Sequence, residues 1–415
     1  MSDAAISARK QERKLVFLLA AVQFVNILDF MMVMPLGPDF AEALGIPTSR
    51  LGIIGGSYTA AAAVAGLIGA QFLDRFDRRR ALAVAMLGLV VATAGGALAQ
   101  NFGQLVATRI CAGAFGGPAT SIALAILSDA VPPERRGRAM GAVMGSFSVA
   151  SVLGVPAGLE LAHRGDWRTP FFAVAGLGLL VVVGVFLVMP PQRAHLQAQA
   201  AQAPAGRNFR GLLADARIRL ALAATVAAFL GVFAVIPNIT AFFQYNLGYP
   251  REDLGSLYFF GGVVSFFAMR AAGRIVDRRG PMPAIWFGSL LISSLFAGGF
   301  LPERTPIPVP LIFVGFMLAN SVRVVGLNTL TSKLPAPPER ARYMSLQSAV
   351  QHIAAAIGAG LSSVLLYERQ GHALGGMPRL AMVAIASAMC LPFLVLAILR
   401  RSVEPVAATT PTAAA

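Results

Sequence analysis

The chain has 415 residues, of which 56% are hydrophobic and 13% charged, where soluble domains carry about 25% charge. That excludes a string of ordinary soluble domains. Lys+Arg 34 against Asp+Glu 19 leaves +15, but the cations sit in short clusters between uncharged runs, so no basic stripe with interleaved aromatics exists to track phosphates and nucleic acid is excluded as a partner.

A bilayer core about 30 Å thick is crossed by ~20 mostly apolar helical residues. Twelve such stretches follow in order: Leu15–Met34, Leu51–Phe72, Ala81–Ala99, Phe102–Ile126, Ala139–Leu159 and Pro170–Met189 in the first half. The second half gives Leu220–Phe242, Leu254–Met269, Ala284–Phe300, Pro310–Leu330, Tyr343–Tyr367 and Leu380–Leu399. An all-α membrane protein of two six-helix bundles is therefore expected. Gly- and Ala-rich runs at 60–65, 113–117 and 354–360 let helix backbones approach closely in lipid. Cys111 and Cys390 lie inside apolar runs and act as small hydrophobes, so no disulfide framework is implied.

Arg9, Lys10, Arg13 and Lys14 precede the first span, which is too long for a signal peptide and carries Asp29. The positive-inside rule then puts the N-terminus in the cytoplasm. Alternation places three further clusters on the same side: Arg75 with Arg78, Arg79 and Arg80; Arg135 with Arg136 and Arg138; Arg274 with Arg278 and Arg279. Both termini are expected to be cytoplasmic, in a bacterial-type cytoplasmic (inner) membrane.

The chain repeats at half its length. Leu51 and Gly52 return as Leu254 and Gly255, and Asp74 and Arg75 as Asp277 and Arg278, each 203 residues on. The run Pro132–Arg135 returns as Pro337–Arg340, and Gly154 as Gly358. The expected organisation is a bundle over 1–189, a flexible cytoplasmic linker over 190–218 containing the Gln/Ala/Pro tract 197–204, a second bundle over 219–400, and a disordered cytoplasmic tail over 401–415. Parallel halves of this kind place a substrate cavity between them near the midplane and expose it to each side by rocking. No Walker motif is present, because none of Lys10, Lys14 and Lys333 has the required context. Coupling to an ion gradient, or none, remains.

Charges inside spans cost several kcal/mol and mark function. Asp29 and Arg109 each lie six or seven residues from the periplasmic end of their spans, which at 1.5 Å per residue puts both roughly 10 Å deep. Low-dielectric surroundings favour the neutral acid and a nearby guanidinium favours the carboxylate, so an acid poised between the two could load and release a proton. A static ion pair tying two helices is the plainer reading of the same residues. Gln23 and Asn26 extend a polar stripe along the first span towards Asp29. Arg323 lies beside Asn320 in the tenth span, at a depth near Gln347, Gln351 and His352 of the eleventh, and a polar cluster is expected there, either orienting the substrate or hydrogen-bonding the helices to each other, with a satisfied buried imidazole the plainer reading of His352. Gly154 and Pro156 are expected to bend the fifth span. The histidines His163, His195, His352 and His372 are scattered, no nucleophile is paired with a base, and neither a metal, a cofactor nor an enzyme activity is indicated.

The motifs resemble those of the major facilitator superfamily, and more narrowly its drug:proton antiporter branch with twelve spans. The loop after the second span of that family reads Gly-x3-Asp-Arg-x-Gly-Arg-Arg, and here it is Ala70, Asp74, Arg75, Asp77, Arg78 and Arg79. The second copy, Gly273, Asp277, Arg278 and Gly280, keeps both glycines. Arg109 with Gly113 is similar to the fourth-span motif, and Gly145, Gly154, Pro156 and Gly158 to the fifth-span motif of exporters, with an altered ending. The string 154–158 followed by Asp166, Trp167 and Arg168 is similar to bacterial sugar- and drug-efflux permeases. The resemblance implies the major facilitator fold and alternating access, with coupling through a first-span acid and gating by Asp74, Arg75, Asp277 and Arg278. The implied activity is proton-coupled efflux of a small organic compound by a monomer, with protons and the lipid bilayer as its other partners. A proton-coupled importer or facilitator of a small organic anion held by Arg323 is the alternative.

Overall fold

The computed structural model describes residues 3–72, 75–192, 209–302, 305–335 and 340–403. Twelve helices in it are long and apolar enough to cross a membrane, as the sequence leads one to expect. The first six are α1 (Asp3–Met32), α2 (Leu51–Phe72), α3 (Arg78–Ala97), α4 (Phe102–Ala130), α5 (Arg138–Arg164) and α6 (Arg168–Val188). The second six are α7 (Ala216–Ala241), α8 (Leu254–Arg279), α9 (Met282–Phe300), α10 (Val309–Thr331), α11 (Arg340–Leu365) and α12 (Met377–Val403). A helix satisfies its own backbone polar groups, which hydrocarbon cannot do. The ends are set by polar residues: the side chains of Asp77, Asn101 and Asp215 cap α3, α4 and α7 by accepting from the backbone N–H of Arg79, Gln104 and Arg217.

The expected halves are each packed internally, and α2 against α11 and α5 against α8 join them. Small residues permit the closest crossings. A Cβ on Gly113 of α4 would stand 2.1 Å from the carbonyl oxygen of Tyr58 in α2, and one on Gly52 of α2 would stand 2.2 Å from that of Ala359 in α11. Not every small residue serves contact. Ala60, Ala61 and Ala65 line an apolar crevice of about 930 Å³ between α2, α3 and α4, whose walls include the exposed Val64, Ile68 and Val84.

Three expectations need correction within a fold that is all-α as expected but for one short antiparallel hairpin, β1 (Tyr367–Glu368) with β2 (Leu374–Gly375), between α11 and α12. Asn246, at the end of α7, holds it by bonding both backbone groups of Leu374 at 2.8 and 3.0 Å. The latter part of the linker is ordered: residues Phe209–Ala214 form a short helix whose Leu212 is buried with Ile218, Leu391 and Val395, whereas the tract 197–204 lies outside the described residues. The helix α12 continues to Val403, into the expected tail. Asp277 and Arg278 occupy the last turn of α8 and not a loop, since the helix ends only at Gly280, with φ 77°.

The fifth span departs from a regular α-helix through a device other than the expected bend at Gly154 and Pro156. A π-helical turn, Ala150–Gly154, precedes the helical segment Val155–Arg164 that has Pro156 in its first turn. Gly154 keeps helical backbone angles and packs on Leu28 of α1, while the π turn receives Gly262 of α8 against the backbone of Ser151 and Val152. It is therefore a contact between the halves.

Candidate functional site

Asp29, one turn from the end of α1, has no solvent exposure. Arg109 of α4 meets it with both terminal nitrogens, Nη1 donating to Oδ1 at 3.1 Å and Nη2 to Oδ2 at 2.6 Å. Thr93 of α3 places its hydroxyl 2.6 Å from Asp29 Oδ1 and 2.8 Å from the carbonyl oxygen of Leu89. The guanidinium of Arg109 also stands over the ring of Tyr58, 5.1 Å from its centroid, and the Tyr58 hydroxyl donates to Asn26 Oδ1 at 2.7 Å. Asn26 in turn donates to the carbonyl of Gly116 at 2.7 Å and to Thr120 Oγ1 at 2.6 Å. A Cβ at Gly116 would fall 2.4 Å from the Tyr58 hydroxyl and 2.6 Å from Asn26 Oδ1, so only glycine leaves room for this junction. Four helices thus contribute to one polar cluster around the Asp29 carboxylate.

Asp29, Arg109 and Asn26 were legible as candidates, while Tyr58 and Thr93 were not singled out. A threonine in a helix can bond its own preceding turn, as Thr93 does with Leu89, and so leaves no mark in an apolar span. Tyr58 carried one usable signal, a phenol inside a run of glycine and alanine. Gln23 is buried on the same helix, and its Oε1 has no hydrogen-bond partner.

The second candidate cluster does not assemble as expected. Arg323 is 1% exposed and donates from Nη2 to the carbonyl of Ala228 in α7 at 2.8 Å and to Asn320 Oδ1 at 3.3 Å. Its Nε has no partner, and among the described residues no carboxylate pairs with it. Gln347 bonds Thr331 of α10 instead, Nε2 to Oγ1 at 3.0 Å, and no hydrogen bond joins Arg323 to Gln347, Gln351 or His352 among the described residues. Gln351 and His352 are half-buried. Equal depth in two helices does not make their side chains face each other.

The halves also meet at the face away from the chain termini, here termed the distal face. Arg251, before α8, pairs with Asp39 in the short helix Gly37–Leu44 that follows α1, with Nη2 donating to Oδ2 at 2.7 Å. Thr48 donates its backbone N–H to Glu368 Oε2 at 2.7 Å and its hydroxyl to the carbonyl of His372 at 3.1 Å, while His372 Nδ1 stands 2.7 Å from Glu368 Oε1. Burial holds the Asp39 carboxyl above its ordinary value, outweighing the opposite pull of Arg251. Nearer the midplane, Phe30 of α1 stacks on Phe233 of α7 at 6.1 Å. Of the expected gating residues, Arg75, Asp277 and Arg278 are exposed at the opposite face, and Asp74 lies outside the described residues.

Twelve spans in two halves, with a buried acid–base pair inside one half and polar latches between the two, define a multi-pass membrane transporter. The chain belongs to the Major Facilitator Superfamily, whose family model matches residues 19–359. It is 28% identical over 390 residues to the chloramphenicol resistance protein of Streptomyces lividans, covering 91% of this chain and 95% of that one. It is 24% identical to the multidrug resistance protein B homolog of Mycobacterium tuberculosis (strain CDC 1551 / Oshkosh), covering 72% of this chain and 66% of the relative. Among solved structures, the xylose transporter XylE from E. coli, in a partially occluded inward open conformation, superposes with a TM-score of 0.72 at 14% identity, over 93% of this chain and 99% of that one. That likeness is one of fold.

Proposed function

We propose that this transporter exports a small organic compound in exchange for protons, as a monomer in the cytoplasmic membrane with both termini in the cytoplasm, and that Asp29 carries the proton. The observation that carries this reading is the double partnership of Thr93. A hydroxyl has one proton to donate and lone pairs to accept with. When Asp29 is ionised, Thr93 donates to Oδ1; when Asp29 is protonated, the carboxyl O–H can donate to Thr93 Oγ1, which turns its own proton to Leu89 2.8 Å away. Both protonation states keep their hydrogen bonds without a change of backbone. A pair built only for rigidity has no use for the second arrangement.

Protonation removes the countercharge of Arg109, whose side chain is 1% exposed. An unpaired buried guanidinium costs several kcal/mol, so the protonated protein favours a conformation that opens the cluster to water. Deprotonation restores the pair and the closed arrangement. One proton moving through 100 mV contributes ~2.3 kcal/mol, enough to sustain a gradient of a neutral solute on the order of 50-fold. The names of the two relatives make chloramphenicol and other small drugs the first compounds to try.

A second reading rests on Arg323. Its buried guanidinium has a carbonyl and an amide for partners and no carboxylate, a donor set suited to an anionic group, so a proton-coupled importer or facilitator of a small organic anion is the alternative. Proton release on ligand addition, followed with a pH dye in weakly buffered detergent solution, tests the leading reading. Chloramphenicol should displace protons, up to one per wild-type molecule, and none from Asp29→Asn. Equal release from the variant would remove Asp29 from the exchange.

A further inference from the structure

A second built site lies far from Asp29, where α1 and the start of α5 diverge at the face carrying the termini. They enclose a crevice of about 590 Å³. The α1 wall presents Arg9, Glu12 and Arg13 and then Val16, Phe17 and Ala20, successive positions of one helical face. The opposite wall presents Arg135 and Arg138 and then Ala139 and Ala142, at the same spacing. Both walls are thus cationic at one end and apolar at the other. Among the described residues Glu12 is the one acid in the lining against four arginines, and it is engaged by Arg135 at 2.8 Å.

The apolar end is open to the side: Phe17 is 76% exposed. Its depth is closed where Ser146 donates from Oγ to the carbonyl of Ala20 at 2.8 Å. From Arg9 to Ala20 the helix rises roughly 16 Å at 1.5 Å per residue, about the apolar depth of one leaflet. A soluble anion would satisfy the arginines and leave the wall from Val16 to Ala20 bare. A neutral lipid would cover the wall and offer no negative charge to Arg13 and Arg138.

We propose that this crevice seats an anionic phospholipid of the adjacent leaflet, its phosphate among Arg9, Arg13 and Arg138 and one acyl chain along Phe17 and Ala20. Basic pockets between membrane helices on the cytoplasmic side hold acidic headgroups by this combination of charge and apolar depth. The site is independent of the transport reading, because no residue of the Asp29 cluster lines it.

The test compares spin-labelled phosphatidylglycerol with phosphatidylcholine of the same chains, each at low mole fraction in phosphatidylcholine nanodiscs holding the full chain. Electron paramagnetic resonance reads the motionally restricted fraction. Wild type should restrict phosphatidylglycerol in preference, and Arg13→Gln/Arg138→Gln should weaken that association on the order of thirtyfold. Arg400→Gln/Arg401→Gln, which removes the same charge from the end of α12, should leave it unchanged. Ala142→Phe fills the apolar end while keeping every arginine, and should abolish the preference too. Equal restriction of the two lipids by wild type, an Arg400/Arg401 effect as large as the Arg13/Arg138 effect, or an unaltered preference in Ala142→Phe would each overturn the proposal. Displacement of the lipid by millimolar inorganic phosphate would also overturn it, by making the crevice a soluble-anion site.

Discussion

Asp29 and Arg109 are 0% and 1% exposed, so neither charge is shielded by water and each depends on the other. Removing one member of such a pair leaves an uncompensated buried charge, at a cost of about 3–5 kcal/mol, whereas replacing both by apolar groups of similar volume is far less costly. Arg109→Ala should therefore lower the thermal unfolding temperature of the purified transporter sharply, and Asp29→Leu/Arg109→Met should recover most of the loss while transporting nothing uphill. If the single and double variants unfold together, the pair is not closed as described. Tyr58 adds a face for the guanidinium, and Thr93 adds a hydrogen bond to the carboxylate. Arg323 has neither device nor acid, which separates the two buried arginines by role.

The elements hold the cluster because helices α2 and α4 cross almost in backbone contact. Gly113→Ala would drive a Cβ to 2.1 Å from the Tyr58 carbonyl oxygen, so the helices must separate, costing roughly 2 kcal/mol or more and displacing Tyr58 from Asn26. Gly66→Ala, in the same α2 with no atom within 4 Å of the added Cβ, should be neutral or slightly stabilising in the same unfolding assay. Equal damage from both would mean that α2 fails for its composition and not for this crossing. The short helix Gly37–Leu44 supplies a different element-scale test, through Asp39. With its carboxyl raised by burial in the docked state, docking on Arg251 is fully favoured below the ordinary carboxylate pKa and weakens as pH rises through the raised value. Spin labels at Ala43 and Ser256 should report a close-distance population that declines as pH rises above the ordinary carboxylate range in an Asp29→Asn background, and Asp39→Asn should flatten that dependence. Glu42 and Asp166 act on the same carboxyl, and the Glu368–His372 pair lies at the same face, so a dependence that survives Asp39→Asn would transfer the effect to them.

At the scale of the whole molecule, the twelve spans and two halves were legible because a bilayer fixes the length and apolarity of each crossing, and a charge within one is conspicuous. Depth along a helix could be read in the same way, which is why Asp29 and Arg109 were paired from sequence. The direction a side chain faces around its helix could not be read. Hence Arg323 turned to Ala228 of α7 while Gln347 turned to Thr331, and Thr93 and Tyr58 entered the cluster from helices that showed no polar stripe. The helix Phe209–Ala214 escaped notice because its packing depends on Leu391 and Val395, far along the chain. The central claim is that Asp29 couples protons to solute movement across this pair of halves. It is tested most directly in proteoliposomes by comparing uphill drug transport under an imposed proton gradient with drug exchange at equilibrium. Asp29→Asn should abolish the first and largely retain the second; uphill transport at the wild-type rate in that variant would contradict the account.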